Sequence, residues 1–342
     1  MKLPIEVDYP PMEAKLAHEL PTGEEWGFEP KWDGFRCLVF KDGDEIDLRS
    51  KAGKPLSRYF PDLVDVVASL GVRRIVLDGE IVVPRDGGLV FDELLQRIHP
   101  AASRVSRLAA ANPAHLIVFD LLVNTRGTNL TTRSFAARRA ALEKLYHASF
   151  REVSGIHISP LTRDVKLARN WLSEAHGGLD GVMAKRLDLS YAPGERTAML
   201  KVKKKRTADC VVGGYRLSRS GDLIGSLLLG LHDDDGLLHH VGFCSALSKE
   251  VRKDATDRVR PLTGGDGFSG RTPSATSRWR TEGSGEWSPV PPTLVVEVEY
   301  DHFSGGRFRH GTRFLRWRPD KEPSMCTLDQ LEKEGSSALG ML

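Results

Sequence analysis

The sequence predicts an α+β chain of two domains in series, the second of them a small β-barrel. Three observations predict it. At 342 residues the chain is long enough for two separate apolar cores. Up to Lys203, long apolar strand runs alternate with helical patterns, whereas beyond Thr207 short strands with hairpin signals dominate. Between the two textures lies the charged run Lys204-Lys205-Arg206, which puts the boundary near residues 204–209.

Residues 1–25 are Pro-rich and mixed, and they predict a short leading strand or arm. Phe35 to Phe40 is an apolar run that ends in the turn Lys41-Asp42-Gly43-Asp44. Ile46 and Leu48 then alternate with Asp47 and Arg49, so the stretch reads as a β-hairpin with Lys31 at its mouth. Lys51 to Arg58 is a basic loop, and Tyr59-Phe60-Pro61 leads into a helix from Asp62 to Leu70. Arg74 to Val83 is an apolar strand interrupted by Asp78 and Glu80; Phe91 to Ile98 fits a helix. His115 to Val123 is another buried strand, with Asp120 inside it. Ser134 can cap a helix through Tyr146, and Val165 to His176 forms the next. Gly178 to Lys185 and Ala198 to Lys203 are strands, the first charged at both ends.

In the second domain strands are predicted at Cys210 to Tyr215, Leu223 to His232, Leu237 to Phe243, Thr293 to Tyr300 and Thr312 to Trp317. A helix fits Lys249 to Val259, and Thr263 to Gly285 is a long Gly/Ser/Thr-rich loop. Short strands in this number with a single helix suggest a Greek-key barrel of the OB kind.

Composition excludes several classes. Lys and Arg number 49 against 46 Asp and Glu, so mean charge says nothing about a nucleic-acid partner and only clustering can. Cys37, Cys210, Cys244 and Cys326 show no C-x-x-C spacing, which argues against a zinc site or a disulfide scaffold and suits a reducing compartment. Met1 to Glu24 carries no basic-then-apolar signal pattern, and no apolar run reaches membrane length. A cytoplasmic protein without a membrane partner is expected.

The chemistry centres on Lys31-Trp32-Asp33-Gly34. A lysine at a strand edge, among aromatic rings and other cations, can lose its proton and become a nucleophile. Alone the pattern is weak, since K-x-D-G arises by chance in roughly one chain in ten of this length. Acids inside apolar strands add weight, because a buried carboxylate is costly unless it is paired or bound to metal. Asp78 with Glu80, Asp120 and Asp180 are such acids, and any one of them could be a salt bridge. Lys201 and Lys203 share one strand face. Together these groups predict a pocket for a polyphosphate and a divalent metal.

Seven motifs in order, with compatible spacing, then resemble those of the ATP-dependent DNA ligases. They are Lys31-Trp32-Asp33-Gly34, Leu48-Arg49-Ser50, Asp78-Gly79-Glu80, Phe119-Asp120-Leu121-Leu122, Asp180-Gly181-Val182-Met183-Ala184-Lys185, Leu200-Lys201-Val202-Lys203 and Arg313-Phe314-Leu315-Arg316-Trp317-Arg318-Pro319-Asp320-Lys321. The arrangement looks most like the minimal two-domain bacterial ligases of the C type. The resemblance implies a nucleotidyltransferase (adenylation) domain of antiparallel sheets with flanking helices, residues 1–206, and a β-barrel OB-fold domain, residues 207–342.

The resemblance also implies roles. Lys31 would attack the α-phosphorus of ATP, expel pyrophosphate and carry AMP as a phosphoramidate. Mg²⁺ (or Mn²⁺), Lys201 and Lys203 would lower its pKa, and the two lysines would hold the α-phosphate. Phe119 would stack on adenine, Glu80 would accept from the ribose hydroxyls, and Arg36 would contact the ribose or its phosphate. Glu29 would lie beside adenine and distinguish it from guanine, and Arg49 would bind the 5′-phosphate of the nick. Asp180 and Glu80 would face the metal. Most DNA ligases carry Glu at the position of Asp180, so here the carboxylate sits roughly 1.5 Å further back. A water-bridged Mg²⁺ accommodates that. Arg318, Asp320 and Lys321 would orient the leaving pyrophosphate. Arg307, Arg309, Arg313 and Arg316 would meet phosphates, with Phe308 and Trp317 as stacking faces. Nicked double-stranded DNA is the implied substrate of a monomeric, nucleoid-associated bacterial enzyme of DNA repair, with repair or end-joining proteins as partners.

Related chemistries fit less well. Capping guanylyltransferases and RNA ligases share K-x-D-G, but the first kind normally uses GTP and a different last motif. NAD-dependent ligases carry a domain ahead of the lysine and a cysteine cluster, and the 30 residues before Lys31 and the scattered cysteines match neither. A non-catalytic, OB-containing DNA-end-binding scaffold would leave the buried acids without a purpose.

Overall fold

The computed structural model of the chain describes residues 1–85, 88–173, 178–218, 221–273, 286–331 and 339–341. The chain divides into two compact units, Met1–Lys204 with Lys333–Leu342, and Lys205–Glu332.

The first unit holds strands β1 (Lys15–Ala17), β2 (Trp26–Trp32), β3 (Phe35–Asp42), β4 (Glu45–Ser50), β5 (Arg74–Val82), β6 (His115–Val123), β7 (Ile156–Ile158), β8 (Leu179–Arg186) and β9 (Met199–Lys203). Its helices are α1 (Pro61–Ser69), α2 (Phe91–Arg97), α3 (Ala102–Ala111), α4 (Phe135–Leu145) and α5 (Val165–Ser173). The strands form two sheets, ordered β4-β3-β5-β6-β7 and β1-β9-β8-β2. Cys37 and Val39 of β3 pack with Leu63 and Val67 of α1, Leu94 of α2 and Leu142 of α4. Leu38 and Phe40 point the other way, to Ile5, Met12 and Met199. With both faces covered, β3, β5 and β6 read as nearly unbroken apolar runs. The four-stranded sheet is covered on its far side by Ala168 and Trp171 of α5, which meet Phe28, Val182 and Ala184.

The hairpin β3–β4, strand β6 and the Ser134 cap, whose hydroxyl accepts from the Ala137 amide, are as expected. Lys31 is not at the mouth of that hairpin, however. Trp26 to Trp32 form a strand of the other sheet, paired with β8. The β2 segment carries charge and proline among its apolar residues, which hid it. Helix α3 was not expected either; it buries only Val105 and Ala109, too few contacts for a clear period. Of the residues expected to continue α5, Glu174 to His176 lie outside the described residues, as do residues 274–285 of the long loop.

The second unit contains β10 (Arg206–Leu217), β11 (Ile224–His232), β12 (Leu238–Ala246), α6 (Lys249–Val259), β13 (Val295–Tyr300) and β14 (Thr312–Trp317). The sheet runs β11-β12-β14-β13-β10, and β10 pairs back with β11, so the barrel closes. Its interior is filled by Val211, Leu227, Leu229, Val241, Val296 and Val298. Helix α6, capped by Ser248, lies between the third and fourth of these strands, the arrangement of a small OB barrel. Arg206, read from the sequence as the end of the first domain, is the buried first residue of β10 and donates to the Asp301 carbonyl.

Candidate active site

The site is assembled where the two sheets of the first unit face each other. Asp33-Gly34 carries the chain directly from β2 in one sheet to β3 in the other. A Cβ on Gly34 would stand 2.2 Å from the Ile81 carbonyl oxygen of β5. No side chain fits there, and that is the physical reason for a glycine three residues after the lysine. Lys31 is therefore pinned at the seam.

On β8, Gly181 lies opposite both Lys31 of β2 and Lys203 of β9. Its φ is +144°, and a Cβ would meet the Val202 carbonyl oxygen at 2.1 Å. The β8–β2 register shifts between Leu179 and Gly181, and such an irregularity re-aims the side chain it carries. That side chain is Asp180, whose Oδ2 lies 2.5 Å from Lys31 Nζ and 2.9 Å from Lys203 Nζ. Burial works to lower the Lys31 pKa, but the charge and hydrogen bond of Asp180 outweigh it and hold the ammonium above the ordinary lysine value. The expected depression of Lys31 is thus absent from this state, because Asp180, the carboxylate expected to face a metal, is paired with Lys31 itself. For Lys201 the balance goes the other way: burial, then Lys31, Lys203 and Lys51, push its pKa down.

A cavity opens from Lys31, lined by Glu29, Arg36, Glu80, Phe119, Lys185 and Lys201 together with Met12, Met183 and Met199. It draws Glu29, Lys185 and Lys201 from the four-stranded sheet, and Arg36, Glu80 and Phe119 from the five-stranded one. Phe119 has the Arg36 guanidinium 4.7 Å and the Lys185 ammonium 4.3 Å from its ring centroid. Arg36 forks onto Asp78 at 2.5 and 2.6 Å, and Tyr191 donates to the same carboxylate at 2.7 Å. Burial pushes the Glu80 carboxyl up to about 7, against the pull of Arg36 and Lys31. Glu29 is enclosed between Lys185 at 2.7 Å and Arg139 at 3.3 Å.

The structure corrects the reading of two acids. Asp120 is the fully buried partner of Arg138, at 2.8 Å on both nitrogens, and Asp78 is the partner of Arg36. Both are counter-ions to arginines rather than part of the cavity wall. Phe308 offers no stacking face: it is buried in the barrel against Tyr300 and Phe303. Arg49 is paired with Asp47 at 2.5 Å and lies outside the cavity lining. In the second unit Arg318 is bound by Asp209 and Asp320, and Lys321 lies 3.7 Å from Asp209. Among the described residues no group of three or more His, Cys, Asp or Glu side chains forms a metal cluster. Lys185, Met12, Met183 and Met199 were given no role from the sequence, though the last residue of Asp180-Gly181-Val182-Met183-Ala184-Lys185 had the strand parity to face inward.

Residues 11–203 match the family model of the ATP dependent DNA ligase domain, and residues 220–321 that of the ATP dependent DNA ligase C terminal region. The chain belongs to the ATP-dependent DNA ligases. This ligase is 46% identical to DNA ligase C1 of Mycolicibacterium smegmatis, over 97% of its own length and 96% of the relative's. It is 44% identical to DNA ligase C of Mycobacterium tuberculosis, again over 97% and 96%. A solved Lig E DNA ligase, 17% identical, shares the fold with a TM-score of 0.56 over 90% of this ligase and 99% of that chain. The ligase is an enzyme and ATP is its nucleotide, as the motifs implied. No helix among its described residues is long and apolar enough to cross a membrane.

Proposed function

We propose that this ligase seals 3′-OH/5′-phosphate nicks in double-stranded DNA through Lys31. The observation that carries the reading is one amine at the mouth of a cavity whose walls supply the Phe119 ring, the carboxylates of Glu29 and Glu80 and further cations. Neutral Lys31 attacks the α-phosphorus of ATP; the N–P bond forms and pyrophosphate leaves. The nick's 5′-phosphate oxygen then takes AMP from the lysine, giving DNA-adenylate, and the 3′-hydroxyl displaces AMP to close the strand. Lys201 and Lys203 stabilise the charge that builds on the α-phosphate oxygens in each transition state. To do so Lys203 must leave Asp180, as Lys31 must.

Glu29 and Phe119 receive adenine, Glu80 the ribose, and Arg36, already anchored on Asp78, the ribose or phosphate edge. Arg49 meets the 5′-phosphate of the nick. A divalent cation fits the donor set: Asp180 already gathers two ammonium groups, and Glu80 is a half-buried carboxyl on which the Lys31 charge also acts. Asp180 and Glu80 would hold Mg²⁺ or Mn²⁺ with its waters, and when bound it supplies positive charge to the triphosphate. Arg318 and Lys321 act on the pyrophosphate. A monomer working in repair, with end-joining proteins as partners, in the bacterial cytoplasm and on the nucleoid, completes the reading.

Incubation with α-labelled ATP and Mg²⁺ tests it. The protein becomes labelled and passes AMP to nicked DNA, and Lys31→Ala abolishes labelling while nick binding persists weakly. Labelling by GTP alone would point to capping chemistry, and a protein that binds ends without any labelling would overturn the proposal.

A further inference from the structure

Glu29 is 1% exposed, and each of its carboxylate oxygens is taken by a different cation. Lys185 reaches Oε2 from the cavity wall. Arg139 reaches Oε1 from helix α4, behind the wall. The guanidinium ends on three separate elements: Nη1 on Glu29 at 3.3 Å, Nη2 donating to the Ser159 carbonyl at 2.6 Å, and Nε to Glu143 one turn along α4 at 2.7 Å. The Ser159 hydroxyl in turn accepts from the indole of Trp32, next to Lys31, at 2.9 Å. Arg139 therefore joins α4, the end of β7 and the strand of the nucleophile.

We propose that Arg139 is the positioning residue for discrimination at the 6-position of the base. The inference rests on the reading that Glu29 faces adenine. An ionised carboxylate can only accept, so it favours the 6-amino group of adenine and repels a 6-oxo group. That preference holds only if the carboxylate cannot rotate away. Lys185 fixes one oxygen, and the Arg139 fork, itself fixed at two other points, holds the second. A lysine at 139 keeps the charge but cannot serve three acceptors in one plane.

The test compares self-adenylation with ATP and with inosine triphosphate, which carries oxygen at the 6-position. The proteins are the unaltered chain and the Glu29→Gln, Arg139→Ala, Arg139→Lys and Glu29→Gln/Arg139→Ala variants. Arg139→Ala should narrow the ATP preference by about tenfold, the size of one hydrogen bond to a charged group. Arg139→Lys should fall between it and the unaltered chain. The double variant should be no less selective than Glu29→Gln alone, since Arg139 acts through Glu29. If Arg139→Ala slows both nucleotides equally while Glu29→Gln collapses the preference, the residue is only structural and the proposal fails although Glu29 does face the base. If Glu29→Gln leaves the preference intact, the assignment of Glu29 fails and takes this one with it. Should Arg139→Ala not fold, Arg139→Lys carries the same comparison.

Discussion

Gly34→Ala adds one methyl group and should be among the most damaging changes this small. The new Cβ would stand 2.2 Å from a backbone oxygen of β5, and a backbone oxygen cannot rotate aside. We expect several °C off the melting temperature and loss of self-adenylation together, read by thermal unfolding and labelling on one preparation. Gly43→Ala meets no atom within 4 Å, but its φ of +63° gives it a smaller conformational cost, so it serves as the reference. Single residues were legible in proportion to how completely a short motif names them. Lys31, Glu80, Phe119 and Lys201 were found and do line one cavity. Asp120 was misread, because an acid inside an apolar strand looks the same whether its partner is a metal or an arginine on the next helix. Arg139 carried no signal at all: it sits among Arg138, Glu143 and Lys144, a helix whose charges look like a solvated face.

Elements were legible where one face or one cap dominates. Helix α6 and strands β6 and β14 occupy the expected residues, because a serine cap or an abrupt apolar edge marks their ends. Strand β2 was lost because both its faces are buried and a proline interrupts it. Strand β12 has a consequence of its own. His240 is buried there against Phe268, and neither ring nitrogen has a partner among the described residues. Burial first, then Arg307, Arg216 and Arg271, hold its pKa down at about 4. The unfolded chain takes up that proton near pH 6.5 and the folded one does not, so stability falls as pH drops from 6.5 and levels off below about 4. His240→Phe should remove up to about 3 kcal/mol of that acid loss in urea titrations of the whole chain. A difference between the two proteins that does not vary with pH would assign the acid sensitivity elsewhere.

At the scale of the molecule, the two units carry separable parts of the proposed reaction. Arg318 and Lys321 share Asp209 within the barrel unit, and Arg313 and Arg316 are paired with Glu299 and Glu297. If the last motif acts on the leaving pyrophosphate, Arg318→Ala and Lys321→Ala should slow self-adenylation tenfold or more and spare the sealing of pre-adenylated nicks. Equal loss in both assays would remove that role. Pairing also predicts that Arg313→Ala and Arg316→Ala reduce the salt dependence of nick binding less than a free cation would, because each already has a counter-charge. The order of the two textures along the chain was legible, because hydrophobic pattern changes where the architecture changes. The pairing of strands across the first unit was not, since β1, β2, β8 and β9 are scattered in sequence and only the folded chain brings them together.

The passage from β2 to β3 through Asp33 and Gly34 ties the Lys31 amine and the Arg36 wall of the cavity to one continuous stretch of backbone. Lys31 to Phe35 spans four peptide steps, at most about 14 Å when extended. The separation of these two walls is thus bounded by chain connectivity here, and loosening the core elsewhere cannot widen it at that point. Mutational drift in the outer strands should therefore erode stability well before it spoils the spacing between Lys31 and the opposite wall.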